Sequence, residues 1–283
     1  MPDFFIVGGQ RCGTTSLYYY LNQHPLIFLP SIKELHYYSQ NSIPSYLSQI
    51  TNKQDYLSLY NTSNSNFKGD ASTSYLMDME CPELIKNDYP NSKIIICLRN
   101  PIERSYSAYL AQFRSNRTNL DFDDIIKIDA NFSTGDEQKS LNLLTSNYFD
   151  PVSKYIEIFK RENVKIIFTE EFGESPLTIL SDILLFLNIK QPFKEIDLQQ
   201  KNKFKWPKNK LYKLILNNSL IRHSIISKII PSFIRHFIFS KLTIKTKPKM
   251  KKESRIYLKN KYSDDVKKLS NLLDITSPWK DFN

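Results

Sequence analysis

A chain of 283 residues is long enough for one α/β domain with a substantial core. Its three cysteines, Cys12, Cys81 and Cys97, are odd in number and lack metal-ligand spacing, which argues against a disulfide scaffold and fits a reducing cytoplasm. The net charge of +10 is unevenly placed: residues 201–252 hold 15 Lys or Arg and no Asp or Glu, while the remainder holds 24 basic and 29 acidic side chains.

In chain order, residues 4–8 predict a first strand, and Thr14 to Gln23 a first helix ended by His24-Pro25. Between them lies Gly8-Gly9-Gln10-Arg11-Cys12-Gly13-Thr14-Thr15-Ser16. Strand, glycine-rich turn and helix form a natural anion cradle, because backbone N–H groups and the helix dipole converge there. Gly8 and Gly13 keep the Walker A spacing, but Thr14 stands where the Walker lysine would be, and the basic residue is Arg11. The cation has moved, which points to a nucleotide with a different group on its 5′ side.

Residues 42–66 are polar and predict loop with a short helix, followed by a short strand at Phe67 to Ala71. Ile94 to Leu98 is a continuous apolar run, as in a parallel strand covered on both faces. Pro101 occupies a helix's first turn and Ile102 to Arg114 continue that helix. Residues 115–140, with Asp121, Asp123 and Asp124, predict a mobile loop. A helix (Tyr148 to Arg161), a strand (Val164 to Thr169), a helix (Pro176 to Leu187) and a final helix (Ser254 to Leu273) complete the pattern. The alternation predicts an α/β fold, a P-loop-like doubly wound parallel sheet flanked by helices. The expected division is a core at 1–200, a basic helical segment at 201–252 and a C-terminal helix at 253–283.

Four blocks in order resemble the 3′-phosphoadenosine 5′-phosphosulfate (PAPS)-dependent sulfotransferases, similar to the bacterial and glycan- or heparan-type members. The glycine-rich loop is similar to their 5′-phosphosulfate loop. Arg99-Asn100-Pro101-Ile102-Glu103-Arg104-Ser105-Tyr106-Ser107 is similar to their 3′-phosphate site, R-x-P-x-x-R-x-x-S. Lys33-Glu34-Leu35-His36-Tyr37-Tyr38 resembles their K-E-x-H block, and Gly69-Asp70-Ala71-Ser72-Thr73-Ser74-Tyr75 their G-E-[KA]-[ST]-x-x-Y element. A weaker echo is Leu269 to Leu273 ahead of Ser277-Pro278-Trp279.

The resemblance implies PAPS as donor, 3′-phosphoadenosine 5′-phosphate (PAP) as product and no required metal. It implies that Arg11, with Cys12, Gly13, Thr14, Thr15 and Ser16, holds the phosphosulfate. The family usually has lysine at position 11. Arginine forks over two oxygens but is a poor proton donor, so Arg11 is assigned charge stabilisation; the plainer reading is that it closes the loop. Thr14, Thr15 and Ser16 also suit simple helix capping. Arg99 and Ser107 are expected on the 3′-phosphate, with Arg104 in a structural ion pair. Tyr148 is expected on the nucleotide, and Lys201 and Asn202 on a loop closing over the 3′-phosphate.

Glu34 is the expected base, its pKa raised by burial near Tyr37 and Tyr38; alone, it would read as a surface partner of Lys33. His36 is the rival base. Lys33, His36, Asp70, Ser72 and Tyr75 are expected to line the acceptor side. Ala71 replaces the lysine of many glycan-acting relatives, removing one cation.

The expected activity is sulfuryl transfer to a hydroxyl or amine on a carbohydrate, glycolipid or lipid-linked glycan. A Walker-type nucleotide kinase and a non-enzymatic binder of anions or lipid on the same fold are the alternatives. Nucleic acid is not expected, since no reader motif is present. No apolar run reaches the roughly 18 residues of a spanning helix. Residues 201–252 read either as a solvated basic face or as a surface for an anionic acceptor or membrane. With the phosphate loop beginning at residue 8, the expected location is cytoplasmic, peripheral at the inner membrane face.

Overall fold

The computed structural model describes residues 1–40, 50–61, 65, 67–115, 117–130, 146–198, 206–207, 243–244 and 246–283. Five parallel strands form one sheet in the order β2-β3-β1-β4-β5: β1 (Phe4–Ile6), β2 (Ile27–Phe28), β3 (Phe67–Ala71), β4 (Lys93–Leu98) and β5 (Val164–Phe168). Phe4 sits between Gly69 of β3 and Lys93 of β4, and Leu98 pairs with Phe168.

The chain leaves β1 toward β2 on one side and later crosses to β4 on the other. The strand order therefore reverses at β1 and β4, the place where ligands bind in open α/β sheets. Phe4, Phe5 and Ile6 are fully buried, as are Ile94, Ile95, Ile96 and Leu98, which accounts for their continuous apolar runs.

On one face of the sheet, Phe4, Ile6, Ile95 and Ile167 pack with Leu17 and Leu21 of α1 (Thr14–Leu21) and with Leu180, Ile183 and Leu184 of α8 (Pro176–Phe186). On the other, the Phe5 ring lies 6.0 Å from Tyr38 and 5.8 Å from Tyr89. Between these come α2 (Lys53–Ser58), α3 (Cys81–Asp88), α4 (Pro101–Arg114), α5 (Phe122–Ala130), α6 (Phe149–Phe159) and α7 (Thr169–Glu174); α9 (Lys252–Leu273) follows later. Strand β2 and helix α3 were not anticipated from sequence.

The chain divides into two compact units. The first, residues 1–105, 143–201 and 258–283, carries the sheet. The second comprises residues 106–142 and 202–257. In it the expected loop at 115–140 is corrected: residues 122–130 are helical. Phe122, Ile125, Ile126 and Asp129 are buried at helical spacing. Asp123 and Asp124 lie in the first turn, where negative charge favours the helix dipole. Phe122 packs on Tyr106 and Tyr109, while Asp123 accepts from Ser254 at 2.6 Å and pairs with Lys251. Of the basic segment at 201–252, the described parts include a two-stranded antiparallel pair, β6 (Trp206–Pro207) with β7 (Thr243–Ile244); most of that expected helical stretch lies outside the described residues.

Candidate active site

The glycine-rich loop joins β1 to α1 at the reversal point. Gly8 lies so close to β4 that a Cβ there would sit 2.5 Å from Cys97 Cβ and 2.7 Å from Cys97 N. Gly9 N–H donates to the Cys97 carbonyl at 3.1 Å. Arg11 and Gly13 adopt left-handed backbone, with φ of 70° and 81°, so the loop folds back on itself before α1 begins. Gly13 is the N-cap of α1 and supplies no side-chain cap. The first-turn N–H groups of Thr14, Thr15 and Ser16 have no intrahelical acceptor by the geometry of an α-helix, so they suit an anion.

The loop is braced from the carboxyl ends of β4 and β5 and from α4. Arg99, just past β4, donates Nη1–H to the Arg11 carbonyl at 3.2 Å. Thr169 Oγ1, just past β5, lies 2.9 Å from the Cys12 carbonyl and 2.8 Å from that of Leu98. Arg104 is 1% exposed and donates to the Gln10 carbonyl at 3.1 Å and to Ser146 Oγ at 3.3 Å. These bonds hold a loop carbonyl and a hydroxyl. Tyr148 is fully buried and donates to the Arg99 carbonyl at 3.0 Å, 3.7 Å from Cys12 Sγ. Tyr148, expected on the nucleotide, is here bonded to the backbone that carries Arg99. The Cys12 thiol is likewise buried, and burial pushes its pKa up; only its backbone faces the cradle.

The turn after β4 is tied from far along the chain. Glu170 accepts from Asn100 N at 3.0 Å and from Trp279 Nε1 at 3.2 Å, and Asn100 Nδ2 donates to Asp281 at 2.7 Å. The Asn100 side chain meanwhile caps α4 through Ile102 N. None of Thr169, Glu170 or Asp281 was expected from sequence; the position of Thr169 at the end of a strand in an open sheet was the available signal.

The second cluster hangs from β3. Glu34 N–H donates to the Ala71 carbonyl, so the 33–36 segment is bonded to the end of β3, and Ser72 N–H just beyond β3 donates to the Ile6 carbonyl of β1 at 3.1 Å. Lys33 Nζ lies 2.6 Å from Glu34 Oε1, Thr73 donates to Glu34 Oε2 at 3.2 Å, and His36 Nε2 is 3.5 Å from that same oxygen. His36 Nδ1 lies 2.7 Å from Ser74 Oγ. Burial pushes the Glu34 pKa up, but Lys33, His36 and the Thr73 hydroxyl outweigh it and hold the carboxyl below its ordinary value. This corrects the expected upward shift. Burial also holds His36 below its ordinary value, against the pull of Glu34, so at neutral pH the imidazole is uncharged.

Asp70, Ser72 and Tyr75 do not line an open surface. Asp70 and Tyr75 are 0% exposed and Ser72 1%, because the three bond to one another beneath the 33–38 segment. Ser107 falls in the second unit, 9% exposed on α4. Lys201 and Asn202 lie outside the described residues.

A glycine-rich turn leading into a helix without a side-chain cap, an arginine-bearing turn after β4 and a carboxylate–imidazole pair on the segment bonded to β3 make up the candidate site of an open α/β sheet. The family model described as "Sulfotransferase domain" matches residues 1–269, and the chain belongs to that family. Among curated proteins it is similar to a mouse bifunctional heparan sulfate N-deacetylase/N-sulfotransferase 4, 28% identical over 199 residues, 67% of this chain and 22% of that protein. Human carbohydrate sulfotransferase 15 is 28% identical over 163 residues, 43% of this chain and 29% of that protein. The chain therefore spans less than a third of each relative's length. A crystal structure of a sulfotransferase from Alicyclobacillus acidocaldarius matches with a TM-score of 0.73 at 25% identity, covering 98% of this chain and 97% of that one. Mouse sulfotransferase SULT7A1, solved with PAP, shares the fold at a TM-score of 0.52 and 16% identity.

Proposed function

We propose that this chain transfers a sulfuryl group from PAPS to a hydroxyl or amine of a carbohydrate acceptor. The observation that carries the reading is the uncapped start of α1 on left-handed Gly13, with the Lys33–Glu34–His36 cluster bonded to the end of β3, the strand paired with β1. The donor set fits a phosphosulfate: backbone N–H groups of residues 13–16, the Arg11 guanidinium, and no carboxylate within the loop. Arg99 spends one donor on the Arg11 carbonyl, and the rest of its fork suits the 3′-phosphate. The acceptor class follows from the heparan and carbohydrate sulfotransferases among the relatives.

When bound, PAPS supplies the sulfuryl group and departs as PAP, the sulfur–oxygen bond to phosphate breaking as the one to the acceptor forms. The protein's tasks are to hold both partners in line and to balance charge. Arg11 and the α1 amides offset charge growing on the phosphate oxygen. Glu34 takes the acceptor's proton and returns it to solvent. Its depressed pKa makes it a weak base while Lys33 is paired with it. An anion drawing Lys33 away would strengthen it. His36, neutral and 3.5 Å from Glu34, orients the carboxylate.

Calorimetric titration with PAP, beside ATP plus Mg²⁺ and an Arg99→Ala control, tests the reading. PAP alone should bind, and the control should lose it. Equal or better binding of ATP would overturn the donor assignment. The acidic-free segment at 201–252 supports a further element of the proposal, docking on an anionic membrane. Sedimentation with phosphatidylserine vesicles checks it, and no vesicle binding would remove it.

A further inference from the structure

Asp70 is a carboxylate with no exposed surface, at the end of β3. Three hydroxyls donate to it. Ser72 Oγ reaches Oδ1 at 3.0 Å, and the phenols of Tyr56 and Tyr75 reach Oδ2 at 3.0 and 2.9 Å. Two of these hydroxyls face a backbone N–H on their other side. His36 N–H donates to Ser72 Oγ at 3.1 Å, and Tyr38 N–H donates to the Tyr75 hydroxyl at 3.5 Å.

A hydroxyl carries one proton. An ionised carboxylate only accepts. Ser72 and Tyr75 must therefore spend their protons on Asp70, and this turns their lone pairs toward the amides of His36 and Tyr38. Those amides belong to a turn that needs holding: Glu34 and His36 both take left-handed backbone, with φ of 63° and 56°. Non-glycine residues adopt that region at a cost and stay there only when their surroundings fix them. The same turn carries the carboxylate and the imidazole.

We propose that Asp70 is a positioning residue, which fixes the left-handed turn bearing Glu34 and His36 by acting through the hydroxyls of Ser72 and Tyr75 and without touching donor or acceptor. The inference rests on the sulfotransferase reading only for what Glu34 and His36 do. An amide at position 70 cannot substitute. With its NH₂ toward Ser72, that hydroxyl loses its acceptor; with the NH₂ toward the phenols, both Tyr56 and Tyr75 lose theirs; on either side a hydroxyl facing the His36 or Tyr38 amide is no longer held with its lone pair toward it.

The test follows the His36 imidazole by ¹⁵N NMR titration in the full chain, in native protein, Asp70→Asn, Ser72→Ala and Ser72→Thr. The charged groups facing His36 are Lys33 and Glu34, with the neutral hydroxyl of Ser74. His24 is a distant internal control, bonded to the Gln191 carbonyl and the Leu26 amide. Asp70→Asn and Ser72→Ala should each move the His36 titration toward its ordinary value and speed exchange of the His36 and Tyr38 amides about tenfold. The double variant should do no more than either alone, and Ser72→Thr should restore the native titration. PAP affinity should stay unchanged throughout.

An unmoved His36 in folded Asp70→Asn and Ser72→Ala would overturn the proposal. If Asp70→Asn fails to fold, Ser72→Ala alone decides, since it removes one hydroxyl and leaves the carboxylate. A His36 shift in a chain whose native form does not bind PAP would leave the positioning role standing and sink the donor reading instead.

Discussion

Gly8→Ala isolates the contact that sets the phosphate loop. The added methyl would lie 2.5 Å from Cys97 Cβ, 2.7 Å from Cys97 N and 2.9 Å from Cys97 Cα. All three atoms belong to the interior strand β4 or are fixed directly to it, so no rotamer change relieves the clash. Overpacking a core costs ~1–3 kcal/mol, and backbone obstacles put this variant at the upper end. At about 2–4 °C per kcal/mol for a domain of this size, a cost of ~3 kcal/mol lowers the melting temperature by roughly 6–12 °C. The strand must move off β4, which breaks the Gly9 N–H bond to Cys97 and carries the loop with it. PAP affinity should fall at least tenfold, about 1.4 kcal/mol. Gly13→Ala has room, its methyl meeting Thr169 Cγ2 at 3.4 Å, but would have to hold φ of 81°; ~1–2 kcal/mol is expected. Gly173→Ala in α7 meets nothing within 4 Å and should be neutral or stabilising by up to ~1 kcal/mol. Differential scanning calorimetry and PAP titration read all three. A Gly8→Ala protein melting within about 2 °C of native, with native PAP affinity, would refute the close approach of β1 to β4 as the origin of the loop's shape.

Tyr148→Phe leaves the Arg99 carbonyl without its buried donor; ~1–3 kcal/mol of stability should be lost, with weaker PAP binding in calorimetry. Trp279→Ala removes a side chain 2% exposed that packs 5.6 Å from Phe168 and 6.0 Å from Tyr148. Denaturant unfolding should show a loss of ~3–5 kcal/mol, while Trp279→Phe, which forfeits chiefly the Glu170 bond, should lose ~1 kcal/mol. Burial pushes Asp70 up to about 6 despite bonds from Tyr75, Tyr56 and Ser72. Its folded pKa exceeds the unfolded ~3.9, so its contribution is fully present below about pH 4 and lost as pH climbs through about 6, a swing of ~3 kcal/mol. Glu34 and His36 are held down and run the other way, losing stabilisation as pH falls. Unfolding free energies from pH 4 to 7 should therefore fall less steeply, or rise, in Asp70→Asn; a curve parallel to native would contradict this.

Sequence patterns revealed the parts of the site where chemistry demands a local string. The loop at 8–16, the strand and turn at 94–101 and the 33–38 block each carry glycine, proline or charge at short spacing, and the first two lie where the strand order reverses. Long-range partners left no such trace. Thr169, Glu170 and Asp281 are ordinary polar residues until the fold brings them to Cys12, Asn100 and Trp279. The direction of the Glu34 shift depended on the adjacent Lys33 and on Thr73, 39 positions away, converging on one carboxylate; only the first partner was legible in the sequence. Asp70, Ser72 and Tyr75 were expected on the acceptor side from the resemblance of their block; in the structure three hydroxyls satisfy the carboxylate, and all of it is buried. Helix α5 was hidden because its acidic first turn resembles loop composition, although Phe122, Ile125 and Ile126 already had helical spacing.

The turn that presents Arg99 is held by residues synthesised long after it. Asn100 and Asp281 are 181 positions apart, and Glu170 and Trp279 are 109 apart. Closing such long loops is entropically slow and comes after local structure. A nascent chain can therefore pair β1 with β4 and wind α1 while the arginine-bearing turn is still loose. The turn at Arg99 is thus the last part of this end of the sheet to set, once residue 281 is free to reach Asn100.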